Sequence, residues 1–170
     1  MDKTRNPFVF GGLALDDAFT DREDEVRELA RDMLNGQDVV VYAPRRYGKS
    51  SLVLKAAQEA IKADVLVGYC DLMKTPTKER FASALAKTIL SEIDSPVGQA
   101  IERATSLFRS LTVKPSIEVD PDMGTLRFVF QPARRRGDID ATIERLLELP
   151  AEIAAERKKR VSIIFDEFQE

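Results

Sequence analysis

A stretch of eight residues, 43–50, lies between an apolar run and a helical pattern and limits the folds open to this chain. Its letters, APRRYGKS, match the spacing of a small residue, four variable positions, Gly, Lys and a hydroxyl residue. Between a strand and a helix, this spacing is typical of a loop that wraps phosphate groups with its backbone N–H groups. The helix that follows adds the positive end of its dipole. The stretch therefore predicts a strand–loop–helix unit that binds the phosphates of a nucleotide.

The better-defined positions of this loop have predicted roles. Gly48 lets the backbone approach the phosphates closely. Lys49 places its ammonium group against the β and γ phosphates, and the Ser50 hydroxyl is a predicted ligand of Mg²⁺. Ala43 stands where the stricter pattern has Gly, so it fits only if its dihedral angles stay in a region open to L-residues. The residues predicted to bind the nucleotide through the loop are Ala43, Arg46, Tyr47, Gly48, Lys49, Ser50 and Ser51.

A second chemical feature, Asp166 followed by Glu167, comes directly after an apolar run. A carboxylate at the end of a buried strand can hold the shell of a magnesium ion, which makes Asp166 a predicted metal ligand beside Ser50. Its neighbour, on the opposite side of the strand end, can polarise the attacking water. Glu167 is therefore the predicted base, and Lys49 is the other predicted catalytic residue. Without the loop, the same pair would be an ordinary polar strand end.

Strand and helix patterns alternate along the chain. Three apolar runs predict strands buried on both faces, at residues 38–42, 65–70 and 161–165. Apolar residues at helical spacing predict helices around them, with Gly36 ending the first and Pro150 expected to kink or divide the last. Two β-prone segments, 116–119 and 125–130, predict a hairpin inserted at about residues 113–132. The alternation favours an α/β fold with a largely parallel sheet flanked by helices, and together with the loop at 43–50 it predicts one P-loop NTPase-type domain over residues 1–170.

The composition of the chain argues against several classes of ligand and against a membrane location. The chain of 170 residues has a formal net charge of −3, so it lacks an overall basic field for nucleic acid. It has no His and a single Cys, Cys70, which argues against a zinc site and excludes an internal disulfide. It shows neither the apolar core of a signal peptide nor a run of about 18 apolar residues. We therefore expect a soluble, cytoplasmic protein with no membrane partner.

Clusters of basic residues leave several interpretations open. Arg45 and Arg46 can contact phosphate, face solvent or pair with acidic residues elsewhere, and the solvent interpretation is at least as well supported as the phosphate one. Other basic residues could contact the phosphates of DNA; they are Arg134, Arg135, Arg136, Lys158, Lys159 and Arg160. The alternative is that these are solvated loop and helix-end charges. It is favoured because no aromatic residues are interleaved with them and no recognition helix is visible.

Four segments together resemble the archaeal-type ATPase family, a branch close to the STAND and AAA+ P-loop ATPases. They are residues 6–12 (NPFVFGG), 19–23 (FTDRE), 43–52 (APRRYGKSSL) and 163–169 (IIFDEFQ). The resemblance implies that ATP is the nucleotide and that the segment before the first helix cradles its adenine. By position this implicates Phe19, Thr20 and Arg22, although Phe19 can equally act as a hydrophobic staple that packs on the helix.

The resemblance also has a consequence for the sheet. In that family a strand bearing a polar sensor residue lies between the strand before the loop and the strand before the acidic pair, and a helical lid follows. Such a strand would come after Glu170, so the expected sheet is incomplete and has unpaired edges. We expect a C-terminally truncated domain, or a homo-oligomer or strand-exchanged dimer that completes the sheet. For this reason ATP binding is a firmer expectation than ATP hydrolysis.

The leading hypothesis is ATP and Mg²⁺ binding, with ATP hydrolysis, by the N-terminal portion of a switch or remodelling ATPase. One alternative is an ATP-dependent DNA-binding module of the origin-recognition type. Another is a scaffold that binds the nucleotide without hydrolysing it. A kinase of small molecules is a weaker alternative, because Asp71 is the sole acidic candidate on the second strand for binding an acceptor.

Overall fold

The fold is given by a computed structural model, which describes residues 22–44, 46–93, 97–109, 111–119, 126–131 and 136–168. The chain divides into two compact units, Met1–Val65 and Leu66–Glu170, and each has its own hydrophobic core. The architecture is mixed α/β, with a small parallel sheet flanked by helices. The α/β class and the parallel sheet expected from the sequence are thus confirmed.

The first unit contains two helices, α1 (Glu23–Asn35) and α2 (Lys49–Lys62). Both carry apolar residues at helical spacing, which pack together in a small core. Its buried members are Val26, Leu29, Ala30, Leu52 and Ala56. α1 ends at Gly36, whose left-handed conformation (φ 70°) lets its N–H return to the carbonyls of the last turn. The helix end predicted at this glycine is confirmed.

The prediction of a buried strand at residues 38–42 is wrong for this structure. The described residues 37–44 form no helix or strand, and solvent reaches 90% of Val40 and 98% of Tyr42. An apolar run expresses a preference for burial, but a strand exists only where a neighbouring strand supplies hydrogen bonds. Within the part of the chain that the structure describes, these residues pair with no strand.

The second unit alternates helices with strands. In chain order its elements are β1 (Leu66–Asp71), a 3₁₀ turn (Leu72–Lys74), α3 (Lys78–Lys87), a π-helix (Thr88–Ile93), α4 (Val97–Arg109), β2 (Ser116–Val119), β3 (Leu126–Val129), α5 (Arg136–Arg157) and β4 (Val161–Asp166). β2 and β3 pair antiparallel, with Ile117 opposite Phe128, as the predicted hairpin requires. Their connection at 120–125 lies outside the described residues.

β1 and β4 form the parallel sheet, in register from Leu66 opposite Val161 to Asp71 opposite Asp166. The strands predicted at residues 65–70 and 161–165 are therefore confirmed to within one residue at each end. Because side chains alternate along a strand, one face, which includes Leu66 and Val161, packs on the core. The other face carries Tyr69, Asp71 and Asp166 towards the carboxyl ends of the strands. Among the described residues this sheet has two strands, so each has one edge that no described strand pairs.

The π-helix packs closely on β1 at Gly68. A Cβ added there would lie 2.5 Å from Cγ2 of Thr88 and 2.8 Å from Cδ1 of Ile93, which is closer than packed carbon atoms approach. Thr88 also donates a hydrogen bond from Oγ1 to the Tyr69 carbonyl, at 3.1 Å. Glycine at position 68 therefore permits the contact that holds the middle of β1.

α5 is a continuous helix of 22 residues that contains Pro150. The expectation that this proline could divide the helix is wrong. Leu146, Leu149 and Ile153 lie on both sides of Pro150 and are at most 1% exposed, so the core holds each half of the helix. Proline removes one intrahelical hydrogen bond, and burial of these side chains offsets that loss.

Candidate functional site

The loop predicted to bind phosphate leads into α2 of the first unit. Gly48 adopts the left-handed conformation (φ 72°, ψ 21°) and stands directly before the helix, which begins at Lys49. The first intrahelical hydrogen bond runs from the Leu52 N–H to the Gly48 carbonyl, at 2.9 Å. The N–H groups of the first turn therefore have no acceptor within the helix, and the helix dipole is positive at this end. This end of α2 can receive an anion.

The loop residues differ in how far solvent reaches them. Lys49 and Ser50, in the first turn of α2, are partly buried, whereas Ser51 is buried and Tyr47 is 70% exposed. Ala43 is not among the residues with positive φ in the described part of the chain. Its backbone therefore lies outside the left-handed region, as a residue with a β-carbon requires at this position. The loop thus presents a partly accessible lysine and serine at the start of the helix.

Arg22 braces this loop from the start of α1. Its Nη1 donates to the Tyr47 carbonyl at 3.0 Å, while Nε and Nη2 donate to the Glu25 carboxylate at 2.9 and 3.0 Å. The hydrogen bond from Arg22 lowers the pKa of Glu25 below its ordinary value, so the pair stays ionised at neutral pH. A contact of Arg22 with adenine stays a prediction. Predicted loop and adenine residues outside the described part of the chain are Phe19, Thr20 and Arg45.

Left-handed backbone occurs in both chemical motifs. Among the described residues, those other than glycine with positive φ are Arg46 (67°), Asp64 (68°), Lys158 (54°) and Glu167 (56°). Asp64 follows α2 and Lys158 follows α5, where left-handed residues commonly end helices. Arg46 precedes a helix and Glu167 follows a strand, so helix termination explains neither. Backbone strain of this kind is concentrated at functional sites, which agrees with the two predicted motifs.

Asp166 ends β4, is 8% exposed, and has a donor on each carboxylate oxygen. The Tyr69 hydroxyl donates to Oδ2 at 2.6 Å, and the Glu167 N–H donates to Oδ1 at 2.9 Å. Hydrogen bonds to an ionised oxygen are stronger than those between neutral groups. A carboxylate has about four acceptor positions, so it can accept these two donors and also bind a cation. These two donors help to orient the Asp166 side chain.

Tyr69 is the site residue that the sequence did not single out. Burial, and then the hydrogen bond to Asp166, raise the pKa of Tyr69 well above its ordinary value; the charges of Asp166, Asp71 and Glu167 act in the same direction. The phenol is therefore protonated and can donate at neutral pH. Tyr69 and Asp166 are 97 positions apart in the chain. The sequence shows a tyrosine two positions before Asp71 on a predicted strand. Its contact with Asp166 becomes visible only once β1 is known to pair with β4.

Asp71 lies opposite Asp166 in the sheet and is engaged locally. Its Oδ1 accepts from the Met73 N–H at 3.1 Å, which caps the 3₁₀ turn, and its Oδ2 pairs with Lys74 Nζ at 2.8 Å. The hydrogen bond to Asp71 also raises the pKa of Lys74 above its ordinary value. These contacts give Asp71 a role in ending β1, and they offer no support for an acceptor site of a kinase.

The donor chemistry of Ser50 and Asp166 fits Mg²⁺, which prefers oxygen ligands. Asp166 is also oriented by hydrogen bonds, as ligating carboxylates usually are. In the described ranges, no three His, Cys, Asp or Glu side chains are grouped to hold a metal ion. Mg²⁺ bound with a nucleotide takes one or two protein carboxylates, with phosphates and water as further ligands. Ser50 belongs to the first unit and Asp166 to the second. Each residue therefore fits Mg²⁺ by the chemistry of its own oxygen donor.

Two of the basic residues considered as DNA contacts, Lys158 and Lys159, lie at the C-terminal end of α5. Lys158 adopts the left-handed conformation after α5, and the Lys159 N–H bonds to the Ala154 carbonyl at 3.2 Å. A helix dipole favours cations at this end. Arg134 and Arg135 lie outside the described residues, and Arg136 begins α5. For Lys158 and Lys159, the interpretation as helix-end charges is therefore better supported than the interpretation as DNA contacts.

Comparison with known proteins gives no family assignment, since no family model, curated protein or solved structure matches the chain. Within the described residues, no helix has the length and apolar character needed to cross a membrane. The features of the molecule that bear on its function are the loop before α2 and the acidic end of β4.

Proposed function

We propose that this chain is the nucleotide-binding part of a P-loop ATPase, which binds ATP with Mg²⁺ and acts as a cytoplasmic switch or remodelling module. The observation that carries the proposal is the left-handed Gly48 directly before α2, with Lys49 and Ser50 in the first turn. It supports phosphate binding because the N-terminus of a helix, where the helix dipole is positive, and a lysine lie together. The choice of ATP rests on the resemblance of four segments to archaeal-type ATPases.

Each site residue has a role in this proposal. Lys49 would neutralise the β and γ phosphates, Ser50 and Asp166 would each be a ligand of Mg²⁺, and Glu167 would orient and deprotonate the attacking water. Mg²⁺, when bound, neutralises charge on the phosphates. Arg22 keeps the loop in place through its hydrogen bond to the loop backbone. The hydrolytic part is supported by the oriented carboxylate of Asp166 and by the left-handed backbone of its neighbour.

Nucleotide binding is tested by titrating the protein with a fluorescent ATP analogue in the presence of Mg²⁺. Lys49→Ala is expected to weaken binding about 10- to 100-fold, because a hydrogen bond to a charged group contributes about 1.5–3 kcal/mol. Lys62→Ala is the matched control, since it removes the same side chain at the other end of α2, where Lys62 pairs with Glu59. Equal affinity of wild type and Lys49→Ala would refute the proposal.

Hydrolysis is tested separately, as phosphate release at saturating ATP. Glu167→Gln is expected to abolish turnover and to keep the affinity for ATP within about twofold, because an amide of the same size cannot act as a base. A wild-type protein that binds ATP and releases no phosphate would favour the alternative of a non-hydrolysing scaffold. Turnover that persists in Glu167→Gln would exclude Glu167 as the base.

A further inference from the structure

The hydrogen bond between Tyr69 and Asp166 joins the two strands of the parallel sheet at its carboxyl end. Tyr69 lies on β1, Asp166 ends β4, and both side chains lie on the face of the sheet opposite the core. At 2.6 Å, the bond from the phenol to Oδ2 is in the short range expected for an O–H donor and an ionised oxygen. Tyr69 is thus the donor to Asp166 that comes from a different strand.

Tyr69 is itself held in place from the other face of the sheet. Its carbonyl accepts a hydrogen bond from Thr88 Oγ1, in the π-helix that packs on Gly68 next to it. π-helical turns are frequent at functional sites. The phenol is therefore attached to a backbone position that the core determines, and it transmits this position to the Asp166 carboxylate.

We propose that Tyr69 is the positioning residue of Asp166: its hydroxyl holds the carboxylate in the orientation in which Asp166 ligates Mg²⁺. This inference rests on the proposed function, in which Asp166 is a ligand of the metal. A second donor to the carboxylate is the N–H of Glu167, a residue in left-handed backbone, so it is a weaker anchor than a side chain fixed in a strand. Removing the partner of a metal-ligating group typically lowers metal affinity about 10- to 100-fold.

The test uses Tyr69→Phe, which removes the hydroxyl and keeps the ring. Binding of Mn²⁺, as a paramagnetic substitute for Mg²⁺, is measured by electron paramagnetic resonance in the presence of a non-hydrolysable ATP analogue. The concentration of Mn²⁺ at half-saturation is expected to rise about 10-fold or more, while affinity for the analogue in EDTA stays within about twofold. Tyr42→Phe is the matched control, because Tyr42 is 98% exposed. A role in stability alone would leave the Mn²⁺ affinity of the folded protein unchanged, and that result overturns the inference.

Asp166→Asn separates this inference from the proposed function. If Asp166→Asn leaves Mn²⁺ affinity unchanged, the metal role of Asp166 is wrong and the inference fails with it. If Asp166→Asn weakens Mn²⁺ binding and Tyr69→Phe does not, the inference alone is overturned. If both variants weaken it, the double variant is expected to bind Mn²⁺ no more weakly than Asp166→Asn, because Tyr69 acts through Asp166. Additive effects in the double variant contradict positioning.

A measurement on the intact side chain covers the case in which Tyr69→Phe does not fold. The chain has three tyrosines, so incorporation of 3-fluorotyrosine gives three ¹⁹F resonances. Tyr42→Phe and Tyr47→Phe assign two of them and leave the third to Tyr69. Mg²⁺ with the ATP analogue is expected to shift the Tyr69 resonance, because a cation on Asp166 changes the acceptor of the phenol. A Tyr69 resonance that does not respond to Mg²⁺ in the presence of the analogue overturns the inference.

Discussion

Replacing Gly68 with alanine is the smallest change that tests how the second unit is packed. Gly68 is buried in β1, and its backbone is outside the left-handed region, so alanine can adopt its dihedral angles. The added Cβ would lie 2.5 Å from Cγ2 of Thr88, 2.8 Å from Cδ1 of Ile93 and 3.2 Å from its Cγ1. Thr88 and Ile93 are both β-branched and lie in a helix, where rotation about χ1 is restricted. This holds Cγ2 of Thr88 and Cγ1 of Ile93 near Gly68, whereas Cδ1 of Ile93 can also move by rotation about χ2.

The magnitude follows from two opposing effects. Overpacking a well-packed site by one methyl group typically costs about 1–3 kcal/mol, and two contacts below 3 Å place Gly68→Ala in the upper half of that range. Alanine also restricts the unfolded chain more than glycine does, which stabilises the folded state by about 0.4–1 kcal/mol. We therefore expect the free energy of unfolding to fall by about 1–2.5 kcal/mol.

The assay is urea unfolding at 25 °C, followed by circular dichroism and compared with wild type at equal m value. Thr88→Ser is the designed partner, because it removes Cγ2 and keeps the hydroxyl that donates to Tyr69. In the double variant the loss caused by Gly68→Ala is expected to shrink by about 0.5–1.5 kcal/mol. A Gly68→Ala protein as stable as wild type, or effects of Gly68→Ala and Thr88→Ser that simply add, would show that the π-helix does not pack on β1 as described.

Three further predictions concern other parts of the molecule. Because the pKa of Tyr69 is raised, its phenol should stay protonated at pH values where free tyrosine ionises. The stability that its hydrogen bond contributes should be fully present below about pH 10 and should be lost as the pH rises through the pKa of Tyr69 in the folded protein. Tyr69→Phe should remove this pH dependence of stability. Arg22→Ala should weaken binding of the ATP analogue severalfold through loss of the Tyr47 carbonyl contact, whereas Arg27→Ala, on the exposed face of α1, should not. Pro150→Ala should raise the free energy of unfolding by about 1–3 kcal/mol, measured in urea, since alanine restores a helix hydrogen bond; an unchanged value would mean that α5 has adapted fully to its proline.

The sequence predicted those elements whose apolar pattern agrees with their final partners. Residues 65–70 and 161–165 read as buried strands and pair as β1 and β4. Residues 38–42 have the same kind of pattern and form no strand in the described part of the chain. An apolar pattern expresses a preference for a buried strand, but the strand forms only where a neighbouring strand pairs with it. Pro150 shows the reverse case, in which a local signal for a break is overruled by buried apolar residues on both sides of it.

The candidate site divides in the same way. The loop conformation before α2 could be predicted, because a left-handed Gly48 and a helix starting at Lys49 are local consequences of the spacing of residues 43–50. The Asp166 carboxylate could be named from its place at a strand end. Its main partner, Tyr69, could not, because no local pattern relates two residues that are 97 positions apart. The pairing of β1 with β4 creates that contact.

The contacts around β1 make the Asp166 carboxylate depend on the packing at Gly68, whereas the packing at Gly68 does not depend on the Tyr69 hydroxyl. The π-helix presses on Gly68 and binds the carbonyl of Tyr69, and the phenol of Tyr69 in turn holds Asp166. A disturbance at Gly68 can therefore reach Asp166 through Tyr69 as well as through the pairing of β1 with β4, whereas loss of the Tyr69 hydroxyl leaves the packing of Gly68 intact. Gly68→Ala should consequently alter both stability and metal affinity, and Tyr69→Phe should alter metal affinity far more than stability. This asymmetry follows from the order of the contacts, because the core holds the strand and the strand holds the carboxylate.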